Sequence, residues 1–124
     1  MILVDSCIYI DWMRAGVNPV KRLHAHQSDL ISCSIVHLEV LRGVTDPGVK
    51  AYMADYFSLL REVPLSAALI QEATELAWIN DRKGVVLPVT DVIIAACVLS
   101  IGATLVTRDR HFSRVTGLST SVDL

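Results

Sequence analysis

The 124-residue chain has only three cysteines, Cys7, Cys33 and Cys97, and no C-x-x-C pair among them. Cys/His zinc centres need such tight pairs, so a structural zinc site is excluded. Scattered, odd in number and set among apolar residues, the cysteines are expected to be buried free thiols in a reducing compartment. Charge excess is also missing. The formal net charge of −2 creates no global positive field, so a polyanion would have to be held by a local cluster or through metal ions. No uncharged run reaches the ~20 residues that a membrane span requires. The longest, Val92 to Thr107, contains Ser100, Gly102 and Thr104 and reads as a buried helix, a turn and a buried strand. The N-terminus lacks a basic segment and carries Asp5 almost at once, unlike a signal peptide, so the expected location is the cytoplasm. No repeat, low-complexity tract or linker interrupts the chain, and residues 1–124 are expected to form a single domain.

What is present is an apolar chain, 52% hydrophobic and 19% charged, with enough core-forming residues for a compact fold. Short apolar runs alternate with helical patterns. Met1–Val4, Leu30–Cys33, Glu62–Leu65 and Thr104–Thr107 read as strands, with a further one near Ser119–Val122. Between them the pattern predicts helices from Asp5 or Ser6 to about Arg14, from Pro19 to about Gln27, and from Ser34 to Gly43. Further helices are predicted over Pro47–Leu60, over Ser66–Lys83, and from a cap at Thr90 or Asp91 to Ser100. Strands alternating with helices imply an α/β/α sandwich around a parallel sheet of four to five strands. Ligands of such folds bind at the carboxyl edge of the strands.

Four acids fall at that edge: Asp5, Glu39, Asp91 and Asp109. Each has an ordinary explanation. Asp5, Asp91 and Asp109 can cap helices, and Glu39 can pair with Arg42 three residues on. Taken together they are harder to dismiss. Four converging carboxylates repel one another unless a cation lies between them, and oxygen-only donors suit a hard divalent metal. Glu39 also interrupts the apolar stretch Ile35, Val36, Leu38, Val40, where a charge needs a partner. Asp11, Asp29, Asp46, Asp55 and Asp81 read as solvated surface acids. His37 reads as structural, and His111 lies nearer the rim. Tyr52, Tyr56 and Phe57 form a helical stripe, suited to core packing or to a partner's groove, and part of it is expected to stay exposed.

At these residues the chain resembles a PIN domain, in particular a VapC-type toxin of prokaryotic toxin–antitoxin pairs. ILVDSCIYID resembles the family's opening strand and D-[ST]-S turn, and HLEVLRG its E-L-x-x-G helix. TDVIIAACVLSIGATLVTRDRHF resembles its D-x-x-I-A-A-x-A stretch followed by T-x-[DN]-x-x-F. Cys7 stands where Ser or Ala is commoner, and His111 where many members carry an acid.

The resemblance implies a sheet of order 3-2-1-4-5 and a Mg²⁺- or Mn²⁺-dependent endoribonuclease using one or two ions. Asp5, Asp91 and Asp109 are then the main metal ligands, and Glu39 completes the shell or orients the attacking water. Beside such a site Ser6 or Thr107 can hydrogen-bond a ligand carboxylate or a phosphate oxygen, and the clustered Arg108, Arg110 and Arg114 can hold the RNA backbone or stand as solvated ends of a terminal helix. It also implies a homodimer, silenced by a VapB-type antitoxin, with no membrane partner. Other readings fit less well. A receiver-like signalling domain would want an Asp after the third strand and a late Lys, but Val63–Leu65 runs into Ser66 and no Lys follows Lys83. A D-x-D phosphatase lacks its second acid at Cys7. The full acid set argues against a PIN fold used only for binding, which stands as the alternative reading.

Overall fold

A computed structural model describes all 124 residues. Five parallel strands form one sheet, in the order β3-β2-β1-β4-β5, between layers of helices. The chain runs from β1 (Ile2–Val4) through α1 (Ser6–Arg14) and α2 (Pro19–Leu23) to β2 (Leu30–Ser32). It continues through α3 (Ser34–Arg42) and α4 (Pro47–Leu59) to the edge strand β3 (Arg61–Glu62). Then α5 (Ala67–Arg82) and α6 (Val89–Ile101) carry it back across the sheet to β4 (Thr104–Val106), beside β1. A short 3₁₀ turn, Arg110–Arg114, leads to β5 (Ser119–Ser121). The order reverses between β1 and β4, and there the carboxyl ends of neighbouring strands leave a crevice.

The strands are short because the core is built largely from helices laid over them. Leu3, Val4, Leu30, Leu105 and Val106 are buried in β1, β2 and β4. They join Ile94 to Val98 of α6 in one apolar cluster. Each buried Leu, Ile or Val among them contributes about 1.5–3 kcal/mol on burial. Tyr9 and Phe57 extend the cluster beneath α1 and α4 with an edge-to-face contact at 5.3 Å, and His37 stacks on Phe57 at 4.4 Å.

Several ends differ from the sequence expectation. β3 stops at Glu62: the Val63 N–H still reaches Ser32 O at 2.9 Å, but Pro64 has no donor to continue the ladder. β2 ends at Ser32 because Cys33, still extended, already serves as the N-cap of α3. α2 tightens after Leu23 into a 3₁₀ turn over His24–His26. Neither Thr90 nor Asp91 caps α6. The helix opens earlier, with Pro88 as N-cap and its carbonyl accepting from Val92 N at 3.0 Å, so both residues lie in the first turn. α6 ends at Gly102, whose φ of +63° suits a residue without Cβ. Asp46 is no idle surface acid either. Its Oδ1 accepts from Gly48 N (2.7 Å) and Val49 N (3.0 Å), capping α4, a bond set worth about 1 kcal/mol.

Candidate active site

The Asp5 N–H donates to Val106 O at 2.9 Å, extending the β1–β4 ladder one residue past its end. That bond sets Asp5 beside Thr107, at the crevice. Asp5 is buried, and its carboxylate is held from several sides. Oδ1 accepts from the Ser6 N–H at 2.8 Å, and Oδ2 from Thr107 Oγ1 at 2.7 Å and from Cys7 Sγ at 3.3 Å. Thr107 Oγ1 in turn accepts from the Asp109 N–H at 3.0 Å. One threonine hydroxyl therefore ties the carboxylate after β1 to the backbone carrying the carboxylate after β4. Asp109 caps the 3₁₀ turn, its Oδ1 accepting from His111 N at 2.9 Å, and His111 Nδ1 lies 2.9 Å from the same oxygen.

Glu39 and Asp91 reach the crevice from helices. Ser6 Oγ lies 3.3 Å from Glu39 Oε1 and 3.5 Å from Asp5 Oδ1, so its single proton is shared between two carboxylates. No salt bridge joins Glu39 to Arg42; the close acid–base contacts are Arg108–Asp11 and His111–Asp109. Burial and the nearby Asp5 charge push the Glu39 carboxyl up, while the Ser6 hydrogen bond and Arg42 partly oppose the rise. Asp91 is pushed up to about 6, chiefly by burial and then by the charges of Asp5, Asp109 and Glu39. All four acids thus share one electrostatic neighbourhood.

The cluster is open. No three His, Cys, Asp or Glu side chains close around a single point. Mutual repulsion favours such a spread, and it suits Mg²⁺, which keeps several waters and takes only one or two carboxylates directly. Oxygen donors, an Asp91 carboxyl raised by burial and by three neighbouring acids, and the lack of a lysine or arginine salt bridge to any of the four all fit a hard divalent cation.

A family model of the PIN domain matches residues 2–118. The chain belongs to the PIN-domain family. Comparison with curated proteins gives no significant match. Among solved structures, a chain in VapBC2 from Rickettsia felis, bound to a DNA fragment from their promoter, aligns with TM-score 0.79 at 22% identity over 98% of both chains. A chain in DNA-bound VapBC from Salmonella typhimurium aligns with TM-score 0.82 at 21% identity, over 97% of this chain and 96% of that one. For FitAcB from Neisseria gonorrhoeae the TM-score is 0.74 at 18% identity, with coverage of 97% and 96%. At these identities the likeness concerns the fold.

The PIN fold places the remaining sequence candidates unevenly. Arg108 turns onto Asp11, with Nη1 2.7 Å from Oδ2, so Asp11 is paired rather than simply solvated. Arg114 Nη2 lies 3.5 Å from Gly84 O, and Arg110 is exposed. His37 bonds Ser32 Oγ at 2.9 Å beneath the sheet edge, a structural use. Cys33 and Cys97 are the buried free thiols expected, but Cys7 is only half-buried and sits against Asp5 and Thr107. Its apolar neighbours in sequence hid that position. The usable signal was its place two residues after Asp5, in the first turn of α1, where side chains face the crevice.

Proposed function

We propose that this chain is the metal-dependent endoribonuclease toxin of a VapC-type toxin–antitoxin pair, acting in the cytoplasm on loops of tRNA or rRNA. Membership of the PIN family supports a hydrolase acting on nucleic acid. The observation that carries the reading is the set of four carboxylates at the β1–β4 crevice, where burial first and then the charges of Asp5, Asp109 and Glu39 raise Asp91 to about 6. One or two Mg²⁺ or Mn²⁺ ions bound there would neutralise phosphate charge and activate water for attack on phosphorus.

In this reading Asp5, Asp91 and Asp109 hold the cation. Ser6 and Thr107 keep the Asp5 oxygens turned toward their places at the crevice. Glu39 completes the shell or orients the attacking water, its carboxyl already inclined to take a proton by burial. Arg110 and Arg114 hold the RNA backbone, and Arg108 does so after exchanging Asp11 for a phosphate. The antitoxin is assigned to the groove of about 340 Å³ lined by Ile10, Met13, Val40, Val44 and Val49. Nearby Tyr52 is half-exposed, whereas Phe57 of the same stripe is buried in the core. The chain is expected to form a homodimer, with Trp78, Val86 and Val89 among the apolar side chains left open to a second copy.

Purified free of antitoxin, the protein should cleave RNA with Mg²⁺ or Mn²⁺ and stop when EDTA is added. D5N, E39Q, D91N and D109N should each lose most activity, and double variants little more than singles, because the acids act as one unit. A preparation that binds Mn²⁺ yet leaves tRNA and rRNA intact would reduce the chain to a binding module.

A further inference from the structure

One exposed polar contact at the crevice is made by a residue to which the proposed chemistry gives no part. Asp109 Oδ1 accepts twice from His111, from its main-chain N–H at 2.9 Å and from ring Nδ1 at 2.9 Å. An ionised carboxylate only accepts, so Nδ1 must carry the proton in that contact. A carboxylate held at one oxygen by a single donor can swing about that bond. A second donor on the same oxygen, on a side chain anchored in the 3₁₀ turn, restricts the swing and leaves Oδ2 without a protein partner. The restraint continues inward from Asp109 N to Thr107 Oγ1 (3.0 Å) and from Thr107 Oγ1 to Asp5 Oδ2 (2.7 Å). His111 is therefore the outer end of a chain of hydrogen bonds that passes through two of the four acids.

We infer that His111 is a positioning residue: its imidazole fixes the Asp109 carboxylate so that the free oxygen is presented to a divalent cation. The inference rests on the metal-site reading above. Hydrogen-bonding partners of metal ligands tune affinity by about 10- to 100-fold. The His111 side chain is 69% exposed, which places the expected effect near the lower limit. Its exposure also means that folding does not depend on it.

The test uses the full-length protein, first stripped of metal, with Mn²⁺ alone as the probe. The concentration of Mn²⁺ that produces half the rise in melting temperature is measured for wild type, H111L, H111Q and H111N. Asparagine can set an N–H donor where Nδ1 stands, glutamine sets one further out, and leucine has none. The expected result is a midpoint about 10-fold higher for H111L and H111Q, restoration toward wild type in H111N, and unchanged melting in EDTA. RNA cleavage should follow the same order at low Mn²⁺ and converge at saturating Mn²⁺. A wild-type protein that responds to Mn²⁺ beside an H111L with the same midpoint overturns the positioning role alone. So does an H111N as impaired as H111L. A wild type indifferent to Mn²⁺ overturns the metal site and the inference together.

Discussion

The four acids divide into two pairs that the fold treats differently. Asp5 and Asp109 follow strands, and hydrogen bonds hold both: Ser6 N, Thr107 Oγ1 and Cys7 Sγ on one, His111 on the other. Glu39 and Asp91 ride on α3 and α6, with the shared Ser6 hydroxyl as the only donor between them, and both carboxyls are pushed up. The strand-borne pair is a frame already oriented for a ligand. The helix-borne pair stores a cost of burial, with repulsion from the other acids added to it, that a cation bound there would offset. A site built this way balances rigidity against charge: donors on all four acids would lower the repulsion that makes a cation welcome.

The largest expected effect tests whether both pairs are needed. D5N and D91N should each lower RNA cleavage by more than about 100-fold, beyond what outer hydrogen-bonding partners cost. Both should also blunt the Mn²⁺-induced rise in melting temperature. Their metal-free forms should part ways. D5N replaces an oxygen that accepts from Thr107 or Ser6 with an N–H₂ donor in a buried place, and should melt lower than wild type. D91N removes a repelled charge and should not. Equal destabilisation by the two would erase the distinction between frame and store.

The next effect isolates the frame. T107V keeps the shape of Thr107 but removes the hydroxyl that joins Asp5 Oδ2 to Asp109 N. A loss of cleavage of about 10- to 100-fold is expected, most of it recovered by T107S, which restores the hydroxyl. Failure of serine to rescue would assign the loss to packing of this buried side chain.

Stability against pH reads the store directly. Asp91 has a folded pKa of about 6 against an ordinary 3.8, so between those values the native protein binds more protons than the unfolded chain. The group's contribution therefore favours folding at low pH, and that advantage is lost as pH rises toward about 6. In metal-free protein D91N should melt higher than wild type at pH 7, by an amount on the order of a few degrees, and the gap should close toward pH 4. Asp91 is only half-buried, and solvent screening keeps the gain small. His37, whose pKa burial lowers, contributes a slope of opposite sign, but it is common to both proteins and cancels in their difference. A gap independent of pH would sever the link to this carboxylate.

The strand-borne pair was the more legible in sequence. Asp5 directly follows an apolar run and Asp109 comes three residues after the end of one, and in a parallel sheet that sets both at the carboxyl edge. The order of the sheet came from the family likeness of the motifs, because local periodicity carries no information about which strands adjoin. Glu39 was visible as a charge among Ile35, Val36, Leu38 and Val40 and through the likeness of HLEVLRG to the family's helix. Its tie to Ser6 joins residues far apart in the chain, and spacing rules do not reach so far. The same limit hid the pairing of Arg108 with Asp11 and the polar setting of Cys7. Boundaries such as Pro88 at the start of α6 were missed for a local reason: Thr90 and Asp91 are better capping residues in isolation, and the proline carbonyl closed the first turn before either could.

The smallest expected effect lies where the two pairs meet. Ser6 Oγ is shared between Glu39 Oε1 at 3.3 Å and Asp5 Oδ1 at 3.5 Å, both distances long for a hydroxyl donor. Asp5 loses little in S6A, because its Oδ1 keeps the Ser6 main-chain N–H at 2.8 Å. Glu39 loses its only side-chain donor. That donor favours the ionised carboxylate, so its removal should raise the Glu39 pKa further in metal-free protein. The shift can be followed by carbon-13 NMR of the labelled carboxyl group. Cleavage at neutral pH should fall by about threefold to tenfold, the scale of one hydrogen bond worth ~1 kcal/mol. A Glu39 titration unmoved by S6A would show that the hydroxyl serves Asp5 alone, and the two pairs would then communicate only through their charges.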